Sequence, residues 1–220
     1  MLGARSILDL PCPQTHSKSL TVLVRSFILA TRTSIVDSHF VRNVATAGGA
    51  LYLHTVTDMT ISRTGFERNR VTAGGGALYL TSASFAHLSD VEFLANTALK
   101  TPAAGDEGGG AVQLTHGSGM RLIDCNASAG VAACGGFAYL MQGSNMSVAG
   151  SRFTANTAMT GCVSTLANEI FIPGIPPLVN RQGGGAIFMI DDTNQGTALE
   201  CMDSKFSENR ARGDSNGGAL

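Results

Sequence analysis

Apolar residues alternate with other residue types along most of this chain, in runs of only a few residues. Leu51 and Leu53 frame a tyrosine, and Ile187 and Met189 frame a phenylalanine. A period of two is typical of β-strands, whose successive side chains point to opposite faces. We find no apolar stripe with helical spacing that is long enough to indicate a helix, so the pattern predicts an all-β protein.

Each of these strand-like runs follows a Gly-Gly phrase that returns along the chain. The phrase occurs six times, and its last copy ends at Leu220. The paired glycines are Gly48 and Gly49, Gly75 and Gly76, Gly109 and Gly110, Gly135 and Gly136, Gly184 and Gly185, and Gly217 and Gly218. A recurring phrase indicates a repeat architecture, and paired glycines can form a tight corner because they lack a Cβ.

A second motif, Phe-x-x-Asn, alternates with the Gly-Gly phrase. Its copies are Phe40 and Asn43, Phe66 and Asn69, Phe93 and Asn96, Phe153 and Asn156, and Phe206 and Asn209. In one degenerate copy, Ile123 takes the Phe position and Asn126 takes the Asn position. We expect the Phe residues to form an interior column. We expect the Asn residues to form a column at a bend, where each amide bonds to the next along the stack.

The spacing between the two motifs varies at one point of the repeat. The interval from Asn to Gly-Gly is similar in the first two copies and longest in the fifth, which contains Pro173, Pro176 and Pro177. Prolines exclude a regular central strand, and insertions confined to one point of a repeat form loops on one side of a solenoid. The variable loop is therefore placed between the Asn corner and the Gly-Gly corner.

A coil of roughly 26 residues cannot bury its own apolar face, but similar coils stacked about 4.8 Å apart bury it together. The sequence thus predicts a parallel β-helix of about six to seven coils. The repeat domain spans 20–220 and is expected to be truncated within its last repeat. An irregular lead-in spans 1–19.

Repeated Gly-Gly-Ala-[Ile/Leu/Val] paired with Phe-x-x-Asn resembles the repeat of the chlamydial polymorphic outer membrane proteins, over about residues 30–220. Similar repeats occur in right-handed parallel β-helix proteins of the pectin-lyase-like class. The resemblance implies a right-handed β-helix that is secreted or displayed on the cell surface, at the outer membrane in that family, and that takes part in adhesion. Its expected partners are host or neighbouring cell-surface proteins or glycans. An export signal and any membrane attachment are expected outside this segment.

Composition narrows the partner classes. Charged residues make up 14% of the chain, about half the usual share, and the net charge is −1 without a basic block. Nucleic acid is therefore not an expected partner, because its backbone is held by clustered Lys and Arg. No apolar run reaches the length of about 18 residues that a membrane-spanning helix needs.

All tyrosines of the chain occupy one repeat position, directly between two inward-facing apolar residues. The column contains Tyr52, Tyr79, Gln113, Tyr139 and Phe188. An outward aromatic column could stack on sugar rings or on a partner surface. The alternative, which we favour on the pattern alone, is that these rings only stabilise the stack.

A polysaccharide-active lyase or glycoside hydrolase is the alternative function. Asp191 and Asp192 form the only Asp-Asp pair, and paired carboxylates can act as acid and base. No third Asp and no Gly-His-Gly or Arg-x-Lys motif accompanies them, so a solvated turn is the favoured interpretation. Asp106 and Glu107 could bind calcium weakly at best. No catalytic residue, metal site or cofactor is predicted.

The chain contains three smaller motifs. Among the five cysteines, Cys125 and Cys134 close a short loop and form the first disulfide candidate, although both could be small apolar core residues. Asn126 and Asn145 stand in N-glycosylation sequons, and we expect Asn126 to be occupied within the Asn column. The Arg-Gly-Asp tripeptide at 212–214 is more simply explained by chance.

Overall fold

The structure is a computed structural model that describes residues 25–28, 31–99, 108–159, 184–190 and 196–212. Within these ranges every regular element is a β-strand, and six successive coils each contribute one strand to each of four sheets. The strands of neighbouring coils pair in parallel, with repeat positions aligned. The prediction of an all-β parallel β-helix is therefore confirmed, with about six coils.

The four sheets form the successive walls of each coil. Sheet 1 contains Arg25–Ile28, Leu51–His54, Leu78–Thr81, Val112–Leu114, Ala138–Met141 and Ile187–Ile190. Sheet 2 contains Thr31–Val36, Thr57–Ser62, Phe85–Ser89, Gly119–Ile123, Asn145–Ala149 and Ala198–Met202. Sheet 3 contains His39–Val41, Gly65–Glu67, Glu92–Leu94, Asn126–Ser128, Arg152–Thr154 and Lys205–Ser207. Sheet 4 contains Val44–Ala45, Arg70–Val71, Thr97–Ala98, Val131–Ala132, Thr157–Ala158 and Arg210–Ala211.

Several predictions concern residues outside the described ranges. They are the lead-in 1–19, the last glycine pair Gly217 and Gly218, and the two acidic pairs, Asp106 with Glu107 and Asp191 with Asp192. Of the Arg-Gly-Asp tripeptide, only Arg212 is described. In the described part of the chain, no helix is long and apolar enough to cross a membrane.

The core lies inside the coil and is lined by alternate residues of the strands. In sheet 1, Leu51 lies opposite Leu78 and Leu53 lies opposite Leu80, and all four side chains are buried. On each strand, the residue between the two leucines points away from the core. This arrangement turns the period of two in the sequence into columns of like residues, so each coil buries the apolar face of the next.

Phenylalanine rings form a column inside sheet 3. The ring centroids of Phe40 and Phe66 are 5.0 Å apart, and those of Phe66 and Phe93 are 5.2 Å apart, with nearly parallel planes. Phe153 and Phe206 stack in the same way at 4.8 Å. Stacked rings at this spacing fill the core of each coil and contact their equivalents in the next.

The fourth coil departs from the predicted columns. Ala127 lies opposite both Phe93 and Phe153 and so occupies the Phe position. The assignment of Ile123 and Asn126 to the Phe and Asn columns is therefore wrong. Ile123 belongs to sheet 2, and Asn126 is an exposed residue at the start of its strand.

Phe137 compensates for the missing ring in that coil. It replaces the alanine of the Gly-Gly-Ala phrase and is 1% exposed. Its ring centroid lies 5.4 Å from that of Phe93 and 4.9 Å from that of Phe153. The ring missing from sheet 3 is thus replaced by one from the residue just before the sheet 1 strand Ala138–Met141.

The Asn residues form a hydrogen-bonded ladder along the stack. The Nδ2 of Asn43 donates to Oδ1 of Asn69 at 2.8 Å, and the Nδ2 of Asn69 donates to Oδ1 of Asn96 at 3.0 Å. Asn156 and Asn209 repeat the contact at 3.0 Å. The ladder is interrupted in the fourth coil, where the backbone N–H of Gly130 donates to Asn156 Oδ1.

The left-handed backbone at this corner belongs to the residue before each Asn. Arg42, Arg68 and Ala95 have φ angles of 55°, 52° and 53°. The Asn side chain is therefore selected for its amide hydrogen bonds, because the residue that forms the bend is its neighbour.

The Gly-Gly phrases lie where neighbouring coils approach closely. A Cβ added to Gly49 would collide with the carbonyl oxygen of Gly76, and one added to Gly76 would collide with that of Gly110. Gly48 adopts a left-handed φ of 56°. Contact between coils and backbone geometry thus account for these glycines without a ligand.

Candidate functional site

The predicted aromatic column lies on the outer face of sheet 1. Tyr52, Tyr79, Gln113, Tyr139 and Phe188 are aligned in consecutive coils. Tyr52, Tyr79 and Phe188 are half-buried, whereas Gln113 and Tyr139 are buried. The structure thus brings all five together but leaves only three of them accessible.

The accessible tyrosines form an edge-to-face pair. The ring centroids of Tyr52 and Tyr79 are 5.3 Å apart, and their planes meet at 66°. Partial burial, and next the neighbouring Tyr79, raise the pKa of Tyr52 above its ordinary value. The Tyr52 hydroxyl is therefore protonated at neutral pH and available as a hydrogen-bond donor.

A second outward column of sheet 1 lies two residues further along each strand. His54 lies opposite Thr81, and Thr115 follows at the equivalent position of the fourth coil. Thr81 Oγ1 lies 3.2 Å from Nδ1 of His116, and Thr115 Oγ1 lies 2.9 Å from the same nitrogen. Thr115 also donates to the hydroxyl of Tyr79 at 3.5 Å. This polar network was not predicted from the sequence. Its signal there is the polar residue that stands two positions after each of the first three residues of the tyrosine column.

Neither outward column contains a charged residue from the second to the sixth coil. The positions are filled by tyrosine, glutamine, phenylalanine, histidine, threonine, methionine and isoleucine. Charged groups lie elsewhere, for example at the bend between sheets 2 and 3. There Arg63 binds Asp37 with two bonds of 2.7 and 3.0 Å and holds the pKa of that carboxyl below its ordinary value.

Histidines and acidic residues do not converge on a metal-binding arrangement within the described ranges. No group of three or more His, Cys, Asp or Glu side chains there could hold an ion. The outer face of sheet 1 gathers hydroxyl and imidazole groups instead.

The predicted Cys125–Cys134 disulfide is wrong. Cys125 is a free, buried thiol, whereas Cys134 is disulfide-bonded. Cys125 stands two residues before the Phe position, where Ser151 stands in the next coil. Its Sγ donates to the carbonyl oxygen of Ile123 at 3.3 Å, just as Ser151 Oγ donates to Ala149 at 2.9 Å. Cys125 is therefore a serine substitute in a structural column.

Stability at alkaline pH should reveal this buried thiol. Burial raises the pKa of Cys125 from 9.0 to about 11. Between these values the unfolded chain loses the thiol proton while the folded chain keeps it, so rising pH favours unfolding. Two pKa units correspond to about 2–3 kcal/mol. As the pH rises from 8 to 11.5, the free energy of unfolding of wild type should therefore fall by this amount relative to that of Cys125→Ser. Urea unfolding at each pH would measure the difference.

The matched control is Cys201→Ser, at an exposed free thiol. It should change the pH profile less, because the unfolded and folded environments of Cys201 are more alike. Parallel profiles for wild type and Cys125→Ser above pH 9 would contradict the assignment.

Both sequon asparagines are exposed. Asn126 begins its strand in sheet 3 and Asn145 begins its strand in sheet 2. The expectation that Asn126 is occupied within the ladder is wrong, because Gly130 takes the ladder position in that coil.

Comparisons with protein families, curated proteins and solved structures returned no match. The resemblance to the polymorphic outer membrane protein repeat therefore stays a prediction that depends on the repeat motifs. The fold itself is established by the strand pairing.

Proposed function

We propose that this chain is a non-enzymatic repeat module of a secreted or cell-surface protein, and that it mediates adhesion through the outer face of sheet 1. The observation that carries the proposal is the accessible pair of Tyr52 and Tyr79, aligned on adjacent strands. Its partners would be proteins or glycans on host or neighbouring cells.

The scaffold beneath the pair favours recognition. Each strand of sheet 1 in the second and third coils is bonded to a strand on either side, and its inward leucines are fully buried. A surface held in this way loses little conformational freedom when a partner binds, which leaves more of the contact energy for affinity. Tyrosine adds a large contact area and a hydroxyl with few rotatable bonds.

Aromatic stacking for stability alone is already provided inside the coil. The Phe column is buried up to its last member, Phe206, and fills the core, whereas Tyr52 and Tyr79 remain half-buried on the outside. A partly exposed aromatic pair on a rigid sheet is the kind of feature that marks binding surfaces.

The test measures adhesion of beads coated with the chain to cultured cells. We expect Tyr52→Ala combined with Tyr79→Ala to reduce adhesion by about tenfold, the equivalent of about 1.4 kcal/mol. Phe85→Ala is the matched control, because it removes an exposed aromatic ring, 38% accessible, from sheet 2. Unchanged thermal midpoints would show that both variants are folded. Equal adhesion of the tyrosine variant and wild type would refute the proposal.

A further inference from the structure

We propose that the outer face of sheet 1, in the second to fourth coils, binds a neutral glycan. A sugar ring would stack on Tyr52 and Tyr79, and its hydroxyls would bond to the Tyr79 hydroxyl and to His116, which the buried Thr81 and Thr115 hold in place. The inference deepens the proposed adhesive function and rests on it for the choice of face.

Two threonine hydroxyls orient the side chain of His116. Its side chain is exposed, but Nδ1 is held between the hydroxyls of Thr81 and Thr115, which are 5% and 2% exposed. The other ring nitrogen, Nε2, has no hydrogen-bond partner within the described residues. The imidazole is thus fixed by buried groups and presents Nε2 for a new bond. A sugar hydroxyl suits either tautomer, because it can both donate and accept.

His116 lies at a bend that follows the sheet 1 strand of each coil. The equivalent bend residues of coils two to five are Thr55, Ser82, His116 and Gln142, all with left-handed φ angles between 53° and 58°. Glycine adopts this conformation most readily, and other residues do so at some cost. Polar side chains nevertheless line the whole bend and border the tyrosine pair.

Unsatisfied polar atoms are concentrated along this face of the described chain. Three buried side-chain atoms of the described chain have no hydrogen-bond partner, namely His54 Nδ1, Gln113 Oε1 and Gln142 Oε1. All three belong to the outward columns of sheet 1 or to its adjoining bend. Such atoms are rare in folded proteins, because a buried polar atom without a partner is costly. These atoms are themselves buried, so they mark a concentration of polar side chains along this face and are not its contacts with a ligand.

The residue types of the outward columns indicate the class of ligand. The outward columns combine aromatic rings with hydroxyl, amide and imidazole groups and contain no charged residue from the second to the sixth coil. An anionic glycan would find no counter-charge here, and a largely apolar protein surface would leave the polar groups unpaired. A neutral sugar supplies both an apolar ring face and hydroxyls.

The experiment screens the purified chain on an array of neutral, sialylated and sulfated glycans, and then measures Kd for the best neutral glycan by calorimetry. We expect binding to neutral glycans, about tenfold weaker for Tyr79→Ala, or about 1.4 kcal/mol. Thr115→Val keeps the side-chain shape but removes the hydroxyl that holds His116. We expect it to weaken binding about threefold or more, with Phe85→Ala unchanged.

Binding only to charged glycans, binding to none, or equal Kd values for Thr115→Val and wild type would overturn the inference. Adhesion assays separate this result from the proposed function. Tyrosine-dependent adhesion that persists after neutral glycans are added as competitors would refute the glycan and favour a protein partner. Neutral glycan binding without tyrosine-dependent adhesion would support the glycan site but refute the adhesive function.

Discussion

Phe137→Ala should lower the free energy of unfolding by about 3–5 kcal/mol, the range for removing a buried phenylalanine ring. Phe137 is almost fully buried, and its ring lies between those of Phe93 and Phe153. Ala127, which occupies the Phe position of this coil, cannot fill the resulting cavity. Urea unfolding followed by circular dichroism would measure the loss.

A second substitution tests whether the two positions share one ring. Ala127→Phe alone should destabilise by about 1–3 kcal/mol, because Phe137 already fills the space. The double variant Ala127→Phe with Phe137→Ala recreates the arrangement of the other coils. It should be more stable than Phe137→Ala alone, so the double-mutant cycle gives a favourable coupling energy. Additive losses would show that the two positions do not compensate for each other.

This exchange also explains why the register of the fourth coil differs from the one predicted from its sequence. Ile123 and Asn126 have the spacing of the motif, with Ile in place of Phe, whereas the structure retains ring volume in the core. Leu122 lies opposite Val148, five residues before the Phe position, and Cys125 is aligned with Ser151, two residues before it. These two columns, together with the phenylalanine after Gly135 and Gly136, contained the correct register. Motif letters are therefore weaker guides than the side-chain volume that a coil must supply.

The tyrosine column could be predicted from the sequence because every coil repeats it at one position. The polar network around His116 could not, because its members meet only across coils. Thr81 and His116 are 35 residues apart, because the third copy has a longer interval from Asn to Gly-Gly than the first two. Contacts of this kind require the register between coils, which the loop lengths hide.

The Asn ladder should be nearly as important to stability as the ring in the fourth coil. Asn69 is fully buried, and its Oδ1 accepts from both the backbone N–H and the Nδ2 of Asn43. Its Nδ2 donates to the carbonyl oxygen of Phe40 at 2.9 Å and to Asn96 Oδ1. Asn69→Ala removes these bonds and leaves buried partners unsatisfied, at about 1–3 kcal/mol each. We therefore expect a loss of at least about 3 kcal/mol in urea unfolding.

Asn209→Ala provides the matched control, because it removes the same side chain from the sixth coil. There Asn209 Oδ1 accepts two bonds from Asn156 and its Nδ2 donates to the carbonyl oxygen of Phe153. Asn209 is half-buried, so water can satisfy the released groups. Its loss should be less than half that of Asn69→Ala. Equal losses would mean that the ladder stabilises the stack through its bonds regardless of burial, and that desolvation is not the source of the Asn69 effect.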